Sequence, residues 1–365
     1  MSFTLNGIDY LSTNLERSVR LNKLHKILFT FIVGSIGGLL FSIIGIPVPW
    51  LLGPLTFLLI GSSLKPDLFY WPKTYKSVGM VLIGYTIGLA LDGDAVKEIG
   101  RQLPYMFGMT MLLILLSAGI AWIVAKISKI NYATALLSSI PGGMTQVMVM
   151  AEETKGVNLT IVTVTQTIRL MMIVIGMPLV LTFLGADTTG GAVEDVASSF
   201  SWQTILILAI CVAASFIGKK IKFPTAFLLV PALVTALAQG VGMEATELPS
   251  SVLQFAQLVI GIHIGLMMKP KELENKGTTI SLAIISAALL FIVAMGLGLI
   301  FAQLNDLDLP TALLSLAPGG MDQMGAIAHA VDAELSLVAG YQVFRAFFIL
   351  FLIQPLLAYF LKRMN

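Results

Sequence analysis

Cysteine is almost missing from this chain. Cys211 stands alone inside an apolar block, so no intrachain disulfide and no cysteine cluster is available, and thiol redox chemistry has no support. Histidine is scarce as well. His25, His263 and His329 are scattered, and their spacing makes no recognisable metal-ligand set. No Gly-rich loop ending in Lys-Ser or Lys-Thr occurs, so the chain gives no support to ATP-driven chemistry. Charge is the largest deficit. Only 12% of residues are Asp, Glu, Lys or Arg, against roughly 25% in soluble domains. That is too little to cover a soluble surface.

What fills the space is apolar: 57% of the residues are hydrophobic. They come in blocks such as Ile27–Gly45, Met106–Ala125 and Ile280–Ala302, each near the roughly 20 residues a membrane-spanning helix needs. Open sheets cannot cross lipid, because their edge groups would go unsatisfied. A β-barrel would show alternating segments of about ten residues instead. The expected fold is therefore an all-α integral membrane protein. Residues 1–26 read as a polar, basic tail, and the first span follows as an uncleaved anchor.

The chain repeats itself at an offset of 177 residues. Ile46-Pro-Val-Pro-Trp-Leu-Leu-Gly-Pro54 aligns with Phe223-Pro-Thr-Ala-Phe-Leu-Leu-Val-Pro231. Val81-Leu-Ile-Gly-Tyr-Thr-Ile-Gly-Leu89 aligns with Leu258-Val-Ile-Gly-Ile-His-Ile-Gly-Leu266. Pro141-Gly-Gly-Met144 aligns with Pro318-Gly-Gly-Met321, and Pro178 with Pro355. Gln166 and Arg169 match Gln342 and Arg345 with a slip of one. The expected organisation is a tail at 1–26, a membrane repeat at 27–184, an acidic extracytoplasmic linker at 185–200 and a second repeat at 201–361.

Each half reads as six elements: 27–46, 49–64, 77–92, 104–128, a segment broken at Pro-Gly-Gly (132–155), and 157–184. The second half gives 201–218, 224–240, 251–268, 278–303, a broken 310–331, and 334–361. If the broken segments re-enter the membrane, each half has five spans and the two repeats are inverted. With the N-terminus inside, Lys97 and Arg101 then fall outside and Arg169 and Arg345 within spans; the other 18 of the 22 Lys and Arg residues are cytoplasmic. If the broken segments cross, the cluster Lys219, Lys220 and Lys222 moves outside. The positive-inside rule favours re-entry. The expectation is about ten spans, two broken helix pairs and both termini cytoplasmic.

The candidate site lies at the two breaks. Proline disfavours helix before it and lacks a backbone donor, and glycine permits a sharp bend. A short helix after the bend would turn free N–H groups and a positive dipole end into the protein. Broken helices at matching places in two halves mark transporter sites. Gly142, Gly143, Thr145 and Gln146 line the first break, and Gly319, Gly320, Asp322 and Gln323 the second. Asp322 either takes up a coupling proton or cation or caps the short helix. Arg169 and Arg345, inside apolar runs, either bind an anionic solute, pair with Asp322, or bond structural carbonyls. His263, between Gly261 and Gly265, is a candidate proton relay or an interhelical hydrogen-bonding group.

At the doubled Pro-Trp-Leu-Leu-Gly-Pro and Pro-Gly-Gly-Met motifs the chain resembles the AbrB duplication family, bacterial membrane proteins labelled AbrB-type regulator or ammonia monooxygenase. The resemblance covers nearly all of residues 27–361. It implies a multi-pass protein of the bacterial cytoplasmic membrane, similar to the cation–proton antiporter and anion transporter superfamily, with inverted repeats and broken helices. A monooxygenase would need metal ligands that this sequence does not cluster, and 1–26 is too short for a DNA-binding module. The expected function is secondary transport of a small polar or anionic solute, proton- or cation-coupled. The alternatives are a membrane-embedded sensor or regulatory protein and, behind it, a membrane monooxygenase as the family label suggests. The chain reads as no enzyme, with no cofactor, no metal and no nucleic acid; its partners are the solute or ion, the bilayer, and in a homo-oligomer further copies of itself.

Overall fold

The fold is that of a computed structural model, which describes residues 5–141, 144–185, 201–221, 223, 225–267 and 276–357. The described chain is helical throughout. The first half runs α1 (Leu5–Ile44), α2 (Pro49–Leu64), α3 (Lys73–Leu89), α4 (Gly93–Ser128), α5 (Tyr132–Ser139), α6 (Met144–Glu153) and α7 (Leu159–Phe183). The second runs α8 (Trp202–Lys220), α9 (Ala226–Gly240), α10 (Ser250–Gly265), α11 (Lys276–Asn305), α12 (Leu309–Leu316), α13 (Met321–Ala330) and α14 (Leu335–Phe348), which continues through a π-turn at Ile349–Ile353.

Among the described residues six helices are long and apolar enough to cross a bilayer: Lys23–Ile44, Gly93–Ser128, Leu159–Phe183, Trp202–Lys220, Ile280–Asn305 and Leu335–Leu357. The four others assigned as spans by sequence, α2, α3, α9 and α10, have only 15 to 17 residues. At about 1.5 Å per residue they reach roughly 24 Å, short of a ~30 Å hydrocarbon core.

The 177-residue offset returns as geometry. α5 and α12 start and stop at equivalent residues, as do α6 and α13. Left-handed backbone recurs at Val48 and Thr225, before α2 and α9, and at Lys129 and Asp306, before α5 and α12. The slip of one at Gln-x-x-Arg has a simple origin: five residues join α6 to α7, and four join α13 to α14. The start of α4 differs from expectation. Asp92 accepts hydrogen bonds from the Asp94 and Ala95 amides at 3.1 and 2.8 Å and starts the helix eleven residues early, with Pro104 inside it.

The halves interleave. α1–α3 and α8–α10 form one bundle, and α4–α7 and α11–α14 form another. In the first bundle α3 packs on α9, and its counterpart α10 packs on α2. The glycines make this approach close. A Cβ on Gly84 would lie 2.3 Å from the Leu228 carbonyl oxygen, and one on Gly261 would lie 2.4 Å from that of Leu51, the equivalent pair. Gly88 and Gly265 repeat the relation against Ala232 and Leu55. The two bundles meet at α13, which touches α3, α10, α7 and α14.

Candidate functional site: two arginine-latched broken hairpins

An eight-residue helix cannot satisfy its own last carbonyls, and in an apolar interior water does not substitute. Both breaks solve this alike. Gln166 Nε2 donates to the Leu137 and Ile140 carbonyls at 2.8 and 3.3 Å, and Arg169 Nη1 to those of Ile140 and Ser139 at 2.8 and 3.4 Å. In the second half Gln342 Nε2 donates to Leu314 and Ala317 at 2.8 and 3.3 Å. Arg345 Nη1 donates to Ala317 and Leu316 at 2.7 and 3.3 Å. Arg345 Nη2 also reaches across the proline to the Gly319 carbonyl at 3.3 Å, and donates to Gln342 Oε1. Each arginine thus lays positive charge on the negative end of a helix dipole. Both are 6% exposed.

The hairpin ends are tied as well. The Asn158 amide donates to Thr134 Oγ1 at 3.1 Å, and the Glu334 amide to Thr311 Oγ1 at 2.7 Å. Asn131 Nδ2 donates to the Gly156 carbonyl at 3.4 Å. Residues that enter α5 therefore lie against residues that leave α6. The broken pair folds back on itself instead of running straight on, and α12–α13 does the same.

At the second break the Gly319 amide bonds to the Ala317 carbonyl at 2.8 Å, a tight turn over Pro318. Gly319 and Gly320 do not use left-handed backbone. Gly319 is required by space: a Cβ there would lie 2.8 Å from Met324 Cε and 3.3 Å from Ile173 Cγ2 of the other half. Gly320 begins α13 with no side-chain cap. Gln323, in the first turn of α13, is 3% exposed, and its Oε1 has no partner among the described residues. The Arg169 Nε and Gln166 Oε1 atoms are likewise buried and unpartnered there.

The two guanidinium groups come from different halves and serve neighbouring structure: Arg345 bonds the Gly319 carbonyl, and a Cβ on Gly319 would lie 3.3 Å from Ile173 Cγ2, one helical turn beyond Arg169 on α7. Among the described residues neither has a carboxylate partner. Gly142 and Gly143 lie outside the described residues, as do the side chains of Thr145, Gln146 and Asp322; Asp322 is the second residue of α13. His263 is half-buried in the last turn of α10, in the other bundle. Gln166 and Gln342 were not singled out as site residues from sequence, although Gln-x-x-Arg recurs in both halves. The i, i+3 spacing that places both donors on one helix face was the available signal.

Comparison with known proteins places the chain in a family. The family described as "Transition state regulatory protein AbrB" matches residues 6–144 and 50–361. The chain belongs to this AbrB family. The family match thus takes in the latched hairpins of both halves. Among similar proteins is the "Putative regulator AbrB" of Escherichia coli (strain K12), 24% identical over 324 residues, 88% of this chain and 92% of that protein. Another is the "Uncharacterized protein YhjN" of Bacillus subtilis (strain 168), 25% identical over 360 residues, 90% of this chain and 92% of that protein.

Proposed function

We propose that this AbrB-family membrane protein is a secondary transporter of a small anionic solute, with its site where the two latched hairpins meet. The carrying observation is that Arg169 and Arg345, from opposite halves, are both buried and latch hairpins that meet where Gly319 packs on Ile173 of α7. Each buried arginine costs about 3 kcal/mol near mid-membrane, and two that repel each other cost more. Carbonyls offset part of this, but a carbonyl dipole does not neutralise a net charge. An anion does so, aided by the uncapped start of α13. Asp322 supplies the coupling: it competes with the solute for the positive charge and gains or loses a proton or cation in exchange.

The topology in this reading is ten spans in two inverted repeats, with both termini cytoplasmic. Loop charge supports it, and so do the joined hairpin ends, since a re-entrant pair leaves on the side it entered. The regulatory reading rests on the name carried by the E. coli relative.

The test uses the purified chain. A thermal-shift screen against small organic and inorganic anions, across pH and with or without sodium, should find a stabilising anion. The hit should be accumulated by proteoliposomes under an ion gradient. Asp322→Asn should abolish gradient-driven accumulation while sparing exchange, because asparagine keeps the shape but cannot titrate. An anion that binds but never crosses would instead favour a sensor. Stability and coupled uptake both unchanged in Asp322→Asn would remove that residue from the mechanism.

A further inference from the structure

A groove of about 270 Å³ lies in the first bundle, away from the hairpins. Leu24, Leu28 and Phe31 of α1 form one wall, Trp71, Tyr75 and Val78 another, and Phe255 and Val259 of α10 the floor. Its lining is apolar, yet several of these residues are open to the surroundings: Leu28 is 56% exposed and Val78 45%. In a helix bundle that sits in lipid, such a groove accepts hydrocarbon. Its mouth has a different character. Lys23 lies one helical turn before Ile27 on α1, Lys73 is the first residue of α3, and both are exposed. Tyr70 and Tyr75 are exposed beside them, and Trp71 stacks on Phe31. Tyrosine, tryptophan and lysine together mark headgroup depth.

We infer that this groove is a specific site for an anionic phospholipid, with one acyl chain between α1, α3 and α10 and the phosphate held by Lys23 and Lys73. The repeat argues that the site is selected and not a by-product of the fold. The equivalents of Trp71, Lys73 and Tyr75 are Leu248, Ser250 and Val252, and Leu248 is buried in the main core. Only the first half carries the basic and aromatic mouth. The groove also lies where the halves meet, since Val78 and Phe255 are equivalent residues and a Cβ on Gly79 would lie 2.7 Å from the carbonyl oxygen of its equivalent, Ala256. A lipid wedged there bears on the contact between repeats. The inference is independent of the transport reading.

The full chain in detergent is titrated with phosphatidylglycerol or phosphatidylcholine of identical acyl chains, and bound lipid is counted by native mass spectrometry. Phosphatidylglycerol should fill one site about thirty-fold more tightly, at about 1 kcal/mol for each of two lysines near an anionic headgroup. Lys23→Gln with Lys73→Gln should remove that preference and leave phosphatidylcholine binding unchanged. Val78→Phe with Val259→Phe should weaken both lipids, with unaltered melting confirming the fold. If the filled groove does not fold, Tyr75→Ala serves as a second probe of the wall and should also weaken both. Equal affinity for the two lipids in the unaltered protein overturns the inference. So does lysine-independent preference, or a chain that runs as a dimer and takes up no lipid, which would mean a second copy covers the groove.

Discussion

At the residue scale the arginines carry geometry as well as charge. Arg345 bonds to the carbonyls of Leu316, Ala317 and Gly319, and so grips the chain on both sides of Pro318. Lysine would keep the charge but lacks the planar fork. Arg345→Lys should therefore cost about 3 kcal/mol of stability, since hydrogen bonds to charged groups contribute about 1.5–3 kcal/mol each and orphaned carbonyls add to the loss. Denaturant or thermal unfolding in detergent reads this directly. If the guanidinium serves only as a charge for the solute, Arg345→Lys would melt like the parent and merely bind the anion less tightly. Gln342→Leu should cost less, about 1–2 kcal/mol, because Ala317 keeps its bond from Arg345 while Leu314 loses its side-chain donor.

At the scale of the element, the hairpins depend on the ties at their ends. Thr311 is fully buried, and its hydroxyl is the acceptor for the Glu334 amide. Thr311→Val keeps the shape and removes the acceptor, which should cost about 1–2 kcal/mol and raise amide exchange across α12 and α13 more than elsewhere. A uniform rise would mean global destabilisation and would deny the tie a local role. Helix contacts make the same kind of prediction. Gly84→Ala drives a methyl into the Leu228 carbonyl and should destabilise the α3–α9 pair, whereas Gly119→Ala, on an open face of α4, should be neutral or stabilising by up to ~1 kcal/mol.

These elements also show what the sequence conveys. Pro141 and Pro318 located both breaks, and the offset between them located the equivalent ends of α5, α6, α12 and α13. Side-chain reach across sequence was not legible. Nothing in the order of residues says that Arg169 turns back 29 residues to Ile140, or that Thr134 closes the hairpin 24 residues on at Asn158. From sequence Gly319 permits a sharp bend, and only packing shows that its missing side chain makes room for Met324 and Ile173. The early start of α4 was obscured by Pro104, which a helix tolerates when the local carbonyl finds relief.

At the scale of the whole molecule the two halves exchange contacts: α3 lies on α9 as α10 lies on α2, and in the second bundle α11 packs on α7 and on α4. The largest core cluster draws on both halves, so each bundle is completed only when both halves are in the membrane. That makes topology the property on which the rest depends, and it can be read with cysteine chemistry. Cys211 is the single cysteine, it is fully buried, and it bonds to Pro231 and Thr235 within the first bundle. A membrane-impermeant maleimide should not reach it, so new cysteines need no altered background. Ser198, in the acidic linker that lies outside the described residues, should be extracytoplasmic, and Lys220, at the end of α8 in a basic cluster, should be cytoplasmic. Ser198→Cys is then expected to label in intact cells, and Lys220→Cys only after the membrane is opened. Inverted repeats require this alternation, because α8 must run opposite to its counterpart α1. Labelling of Lys220→Cys from outside, with Ser198→Cys protected, would make the broken hairpins crossings and the repeats parallel. The two arginines would then approach from the same side of the membrane, and a shared alternating-access site would lose its basis.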